Sequence, residues 1–134
     1  MKERVIALGF FDGVHLGHGA LLRRAAEEAA LRGCTPAVFT FDRPPKEVVT
    51  GVPCPLINSP EDRRDLVRRL YRIQDVLMVP FDREMMTTPW DDFIVRILVG
   101  RYHAVHLVAG HDHHFGHRNQ GTPELLAQKC AQLG

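Results

Sequence analysis

The residues best equipped for chemistry lie in one decapeptide, Gly9-Phe10-Phe11-Asp12-Gly13-Val14-His15-Leu16-Gly17-His18. His15 and His18 are spaced to share one face of a first helical turn and to point at the same ligand. An imidazole can donate to phosphate oxygens, and its protonated form is favoured beside an anion. A helix N-terminus adds unpaired N–H groups and a partial positive charge, which together make a phosphate seat. Gly9 and Gly13 suit a tight turn there, and Gly17 suits close ligand approach. Two surface histidines at a helix start are the plainer alternative. The decapeptide, however, follows an apolar run and opens an amphipathic one, the context that phosphate binding requires. Neither a GxGxxG fingerprint nor a GxxxxGK[ST] loop occurs, so mononucleotide chemistry without a P-loop lysine is what remains.

Alternating segments must position these groups. Val5 to Phe10 reads as a buried strand running into a turn. From Leu16 to Arg32, Leu21, Leu22, Ala25, Ala26 and Ala29 recur at helical spacing, and Gly33 supplies the stop. Pro36 to Phe41 predicts a second strand, and the proline-rich stretch from Asp42 to Asn58 a loop. Ser59-Pro60, Thr88-Pro89 and Thr122-Pro123 each offer a hydroxyl at an N-cap followed by proline at the first helical position. The apolar stripes behind them are Leu66, Val67 and Leu70, then Phe93, Ile94, Ile97 and Leu98, then Leu125 and Leu126. Val76 to Val79 and Ala104 to Val108 predict two more strands. The order is βαβαβαβα with near-continuous apolar strands. It predicts an α/β three-layer sandwich with a parallel sheet and helices on both faces.

Composition narrows the field further. The chain has 134 residues, 45% hydrophobic, with 17 Lys+Arg against 16 Asp+Glu and a formal charge of +1. This excludes disordered and low-complexity classes and gives no global attraction to nucleic acid or an anionic membrane. No apolar run approaches membrane-spanning length, and the N-terminus lacks the pattern of a secretory signal. Cys34, Cys54 and Cys130 show no CxxC spacing, so a reducing, cytoplasmic setting is expected.

Other chemistry-bearing groups have plainer readings. His111, His113, His114 and His117 could form a metal cluster, but neighbouring glycines and the lack of cysteine favour a polar ligand loop, and no metal site is expected. Arg63, Arg64, Arg68, Arg69 and Arg72 read as a solvated helix face balanced by Glu61, Asp62 and Asp65. Cys34 reads as a small filler, Trp90 and Phe93 as core, and Asp91 and Asp92 as helix-dipole partners.

The pattern Gly-x-Phe-Asp-x-x-His-x-Gly-His resembles the signature of the HxGH nucleotidylyltransferase superfamily. The closer form, GFFDGVHLGH, resembles the FMN adenylyltransferase (FAD synthetase) part of bacterial bifunctional riboflavin kinase/FAD synthetases. Thr40-Phe41-Asp42, Asn58-Ser59-Pro60-Glu61, Pro80-Phe81-Asp82 and Gly110-x-Asp112-x-x-Phe115-Gly116 extend the likeness over nearly the whole chain.

The resemblance implies a Rossmann-like fold and adenylyl transfer from ATP to FMN, giving FAD and pyrophosphate, with Mg2+ accompanying ATP. It implies catalytic roles for His15 and His18, and ATP binding by Gly9, Phe10, Phe11, Asp12, His15, Gly17 and His18. It places FMN at Asp112, Phe115, Pro44 and Pro45. The implied partners are small-molecule nucleotides, with neither nucleic acid nor membrane, and in the family context a fused riboflavin kinase domain. Departures are Phe41-Asp42-Arg43-Pro44-Pro45 in place of Phe-Asp-Pro-His-Pro, and His113 in place of an aromatic residue. The family's Ser-Ser-Thr-x-Ile-Arg segment has no counterpart in residues 1–134. Residues 1–134 are therefore expected to form a C-terminally incomplete nucleotidylyltransferase domain, with the kinase domain absent. A nucleotidylyltransferase for another phosphorylated substrate, or a non-catalytic nucleotide-binding fragment, are the alternatives.

Overall fold

The computed structural model describes residues 3–9, 16–42, 60–109 and 123–133. The apolar runs form four parallel strands, β1 (Arg4–Leu8), β2 (Thr35–Phe41), β3 (Asp75–Val79) and β4 (Ala104–Ala109), in the order β3-β2-β1-β4. The helices are α1 (Leu16–Arg32), α2 (Pro60–Tyr71), a short α3 (Arg83–Met86), α4 (Trp90–Asp92) and α5 (Pro123–Leu133). Among the described residues no helix is long and apolar enough to cross a membrane.

Side-chain alternation along β1 explains the three layers, because successive residues of a strand face opposite sides. Val5 and Ala7 pack with Leu22, Ala25 and Ala29 of α1 and Val67 of α2 on one face. Ile6 and Leu8 pack with Phe39, Phe93, Ile94, Leu98 and Leu126 on the other. Both central strands are thus buried on both sides, the arrangement a parallel sheet requires. The predicted α/β sandwich with a Rossmann-like parallel sheet is what the chain forms.

Local departures have local causes. β1 ends at Leu8 rather than Phe10, because Gly9 bends away while its N–H still donates to the Phe39 carbonyl at 3.3 Å. The unforeseen α3 is started by Asp82, whose Oδ1 accepts from the Met85 N–H at 2.9 Å. Thr88 does not cap the following helix: its Oγ1 donates backward to the Glu84 carbonyl at 2.8 Å, and Pro89 takes the cap position without a side-chain bond. The predicted caps at Ser59 and Thr122 lie outside the described residues.

The stripe Phe93, Ile94, Ile97 and Leu98 does face the sheet, but on a π-helix, Phe93–Arg101, that continues α4. Its wider turns end with the Tyr102 N–H donating to the Ile97 carbonyl at 3.2 Å. Gly100 tolerates this, since a Cβ there would lie 3.1 Å from the Val95 carbonyl oxygen.

Helix ends show one good match and two mismatches between residue and backbone. Gly33 closes α1 at φ 65°, where glycine costs nothing. Arg72 after α2 (φ 57°) and His103 before β4 (φ 58°) occupy the same left-handed region with side chains that disfavour it. Arg72→Gly and His103→Gly should therefore each stabilise the fold by about 1 kcal/mol. Urea denaturation checks this, and a loss of stability on either change would refute the reading.

Candidate functional site

In open parallel sheets ligands bind beyond the carboxyl ends of the strands, where the strand order reverses. The chain steps outward from β1 to β2 to β3, then returns to place β4 on the other side of β1, so the reversal falls between β1 and β4. Leu8 pairs with Ala109, which ends both strands at one level. Gly9 leaves β1 at that edge. The first turn of α1, including the backbone of Gly17 and His18, follows it in the chain and contains no acidic residue. A strand end, a glycine bend and a helix start without acidic residues are the elements from which parallel α/β sheets build anion sites.

Gly9, Gly17 and His18 are thus located, the last two by backbone. Phe10, Phe11, Asp12 and His15, and also Pro44, Pro45, Asp112 and Phe115, lie outside the described residues, as does the histidine-rich loop. Among the described residues no group of three or more His, Cys, Asp or Glu is placed to hold a metal ion.

The neighbouring corner, where β2 and β3 end, is more ordered than the sequence suggested. The Asp42 N–H donates to the Val79 carbonyl at 3.1 Å, and Asp42 Oδ1 accepts from the Phe81 N–H at 3.1 Å. The rings of Phe41 and Phe81 meet edge-on, 4.8 Å apart. Arg63 overturns the reading of its helix as a wholly solvated basic face. It is only 1% exposed, and its Nη2 donates to the Phe41 carbonyl at 2.8 Å. The signal was available in the sequence: Arg63 lies one turn before buried Val67 and two before Tyr71, on the helix stripe that faces the sheet. Arg68, Arg69 and Arg72 are exposed as expected.

A separate groove of about 530 Å³ runs along the outer edge of β4, bordered by Val99, Leu107, Leu126 and Cys130. Burial raises the pKa of the Cys130 thiol, which disfavours its reactive thiolate. This groove follows the side of the sheet along β4 from Ala104 to Ala109.

His106 borders the same groove, and its pKa is lowered by burial first, then by the positive charges of Arg32 and Arg24, against an opposing contribution from Glu28. The folded state therefore prefers the neutral ring. The stability this provides is complete above the unfolded value of 6.5 and is lost as the pH falls below it towards the lowered folded value. His106→Asn should lose less thermal stability than the unmodified chain between about pH 7 and pH 5. Equal losses would show that another group carries the acid sensitivity.

Comparison with known proteins adds an independent line. The family model for FAD synthetase matches residues 1–134. A bifunctional riboflavin kinase/FMN adenylyltransferase from Listeria monocytogenes is 33% identical over 128 residues, which cover 94% of this chain and 40% of that protein. Proteins of the same name from Bacillus subtilis and Escherichia coli K12 are 34% and 33% identical, over 92% and 97% of this chain. The chain thus spans about two fifths of the length of these curated relatives. A crystal structure described as a macrolide-efflux protein from Streptococcus pneumoniae superposes with a TM-score of 0.82 at 26% identity, covering 96% of this chain and 42% of that one.

Proposed function

The chain belongs to the FAD synthetase family, and from that premise we propose that it transfers the adenylyl group of ATP to FMN, giving FAD and pyrophosphate. The observation that carries this reading is the start of α1, free of acidic residues, following the β1 end at the strand-order reversal. That is where an anionic phosphate chain finds bare amides and a favourable dipole. MgATP is the nucleotide substrate. A phosphate oxygen of FMN attacks the α-phosphorus, the bond to the β-phosphate's bridging oxygen breaks, and pyrophosphate departs.

Such a reaction needs alignment and stabilisation of developing negative charge more than it needs a protein nucleophile. His15 and His18 would donate to the phosphate oxygens, while the backbone at Gly9, Phe10 and Phe11 would line the nucleotide's path. Asp12 and Gly17 complete the proposed ATP side. Asp112, Phe115, Pro44 and Pro45 form the proposed FMN side. The relatives' names pair this activity with a riboflavin kinase, an activity that would supply the FMN.

Calorimetric titration with MgATP and FMN, followed by a pyrophosphate-release assay, tests the reading. Binding of both, with pyrophosphate released only when both are present, is expected. ATP binding without FMN-dependent release would instead support a non-catalytic nucleotide-binding domain, and release with a different phosphorylated acceptor would reassign the substrate.

A further inference from the structure

We propose that Arg63 is a positioning residue for the acceptor side of the site, fixing the corner at which β2 and β3 end. The proposal rests on the adenylyl-transfer reading for its substrate, but its geometry stands apart from it. Arg63 is carried by α2 and is 1% exposed, and its Nη2 donates to the carbonyl of Phe41, the last residue of β2. The next residue, Asp42, ties this strand end to the last residue of β3 and to the turn after it, donating its N–H to the Val79 carbonyl and accepting at Oδ1 from the Phe81 N–H. The Phe41 and Phe81 rings close the same corner from the side.

Burying a guanidinium is costly, and an apolar side chain of similar volume is often at least as good for stability alone. Arg63 is therefore better explained by what its hydrogen bond orients than by what its burial contributes. Arginine suits that task, because its planar fork is always charged and holds its donors in fixed directions.

The corner lies at the ligand edge of the sheet, on the flank away from β4. The tie between β1 and β2 near this edge is made upstream of the corner, from the Gly9 N–H to the Phe39 carbonyl. Disturbing the corner should therefore leave the β1–α1 phosphate seat in place. The ligand affected is the one approaching beyond β2, which the adenylyl-transfer reading identifies as FMN through Pro44 and Pro45, two and three residues after Asp42 in the sequence.

The test compares the whole chain with Arg63→Met and Arg63→Lys, measuring amide hydrogen exchange at Asp42 and Phe81 together with KM for each substrate. Arg63→Met should speed exchange at both amides by about tenfold and raise the FMN KM by a similar factor, while the ATP KM shifts by less than about twofold. Arg63→Lys, which keeps a positive charge and N–H donors but loses the planar fork, should recover part of both effects and also carries the test if the methionine variant does not fold. Unchanged exchange at the two amides, or equal rises in both KM values, would overturn the proposal. If the unmodified chain forms no FAD, the adenylyl-transfer reading fails, and the exchange rates still decide whether Arg63 holds the corner.

Discussion

Phe39→Ala should destabilise the protein by about 3–5 kcal/mol, the range expected when a buried phenyl ring is deleted and its cavity refills only partly. Phe39 is 2% exposed and sits in the middle of the sheet's second face. Its ring makes edge-on contacts with Phe41, Phe93 and Tyr102 at centroid distances of 5.5, 5.4 and 5.9 Å. Such pairs add to simple area burial. They link β2 to the π-helix following α4 and to its C-terminal Tyr102, so no single element can move in to fill the void. Because total stability of a domain is about 5–15 kcal/mol, this one change should bring the chain near the unfolding threshold. Urea denaturation checks it, and a loss below about 1 kcal/mol would mean that the aromatic cluster is not a cooperative part of the core.

His18→Ala is expected to have the opposite profile, with the fold intact and ligand chemistry lost. The described core of α1 is Leu22, Ala25 and Ala29, all of which the variant retains, and the thermal midpoint should stay within a few degrees. Loss of a donor aimed at transition-state charge costs about 10²–10³ in turnover. ATP affinity should also fall, by about tenfold, because the proposed charge-assisted hydrogen bond to phosphate is removed. Calorimetric titration and pyrophosphate release measure the two separately. Unchanged ATP affinity would remove His18 from the site, and a large fall in thermal midpoint would make its role structural.

The features legible in the sequence were those fixed by periodicity and by strong local chemistry. Leu16 to Arg32 matches α1 end for end, since its apolar stripe and the stop at Gly33 agree. The parallel sheet followed from strands apolar on both faces. What escaped was decided by contacts made only after folding. Thr88 has the composition of a cap, yet the preceding turn α3 offers its hydroxyl the Glu84 carbonyl instead. The π-helix keeps the expected apolar stripe while changing the hydrogen-bond step, which periodicity alone cannot distinguish. Arg63 lay hidden in a run of arginines because charge count outweighed its place one turn before Val67. Of the proposed site, the start of α1 was readable from the helix signals, whereas the apolar run carried the expected strand past Gly9 to Phe10. The roles of His15, Asp12, Asp112, Phe115, Pro44 and Pro45 rest on resemblance to the family.

The central claim is most directly tested by following the α-phosphorus of ATP. With ATP labelled at that atom, supplied with Mg2+ and FMN, the account predicts that label appears in FAD and that unlabelled pyrophosphate is released in equal amount, both dependent on FMN. Label that stays in ATP, or that emerges in AMP or ADP with no FAD formed, would contradict it.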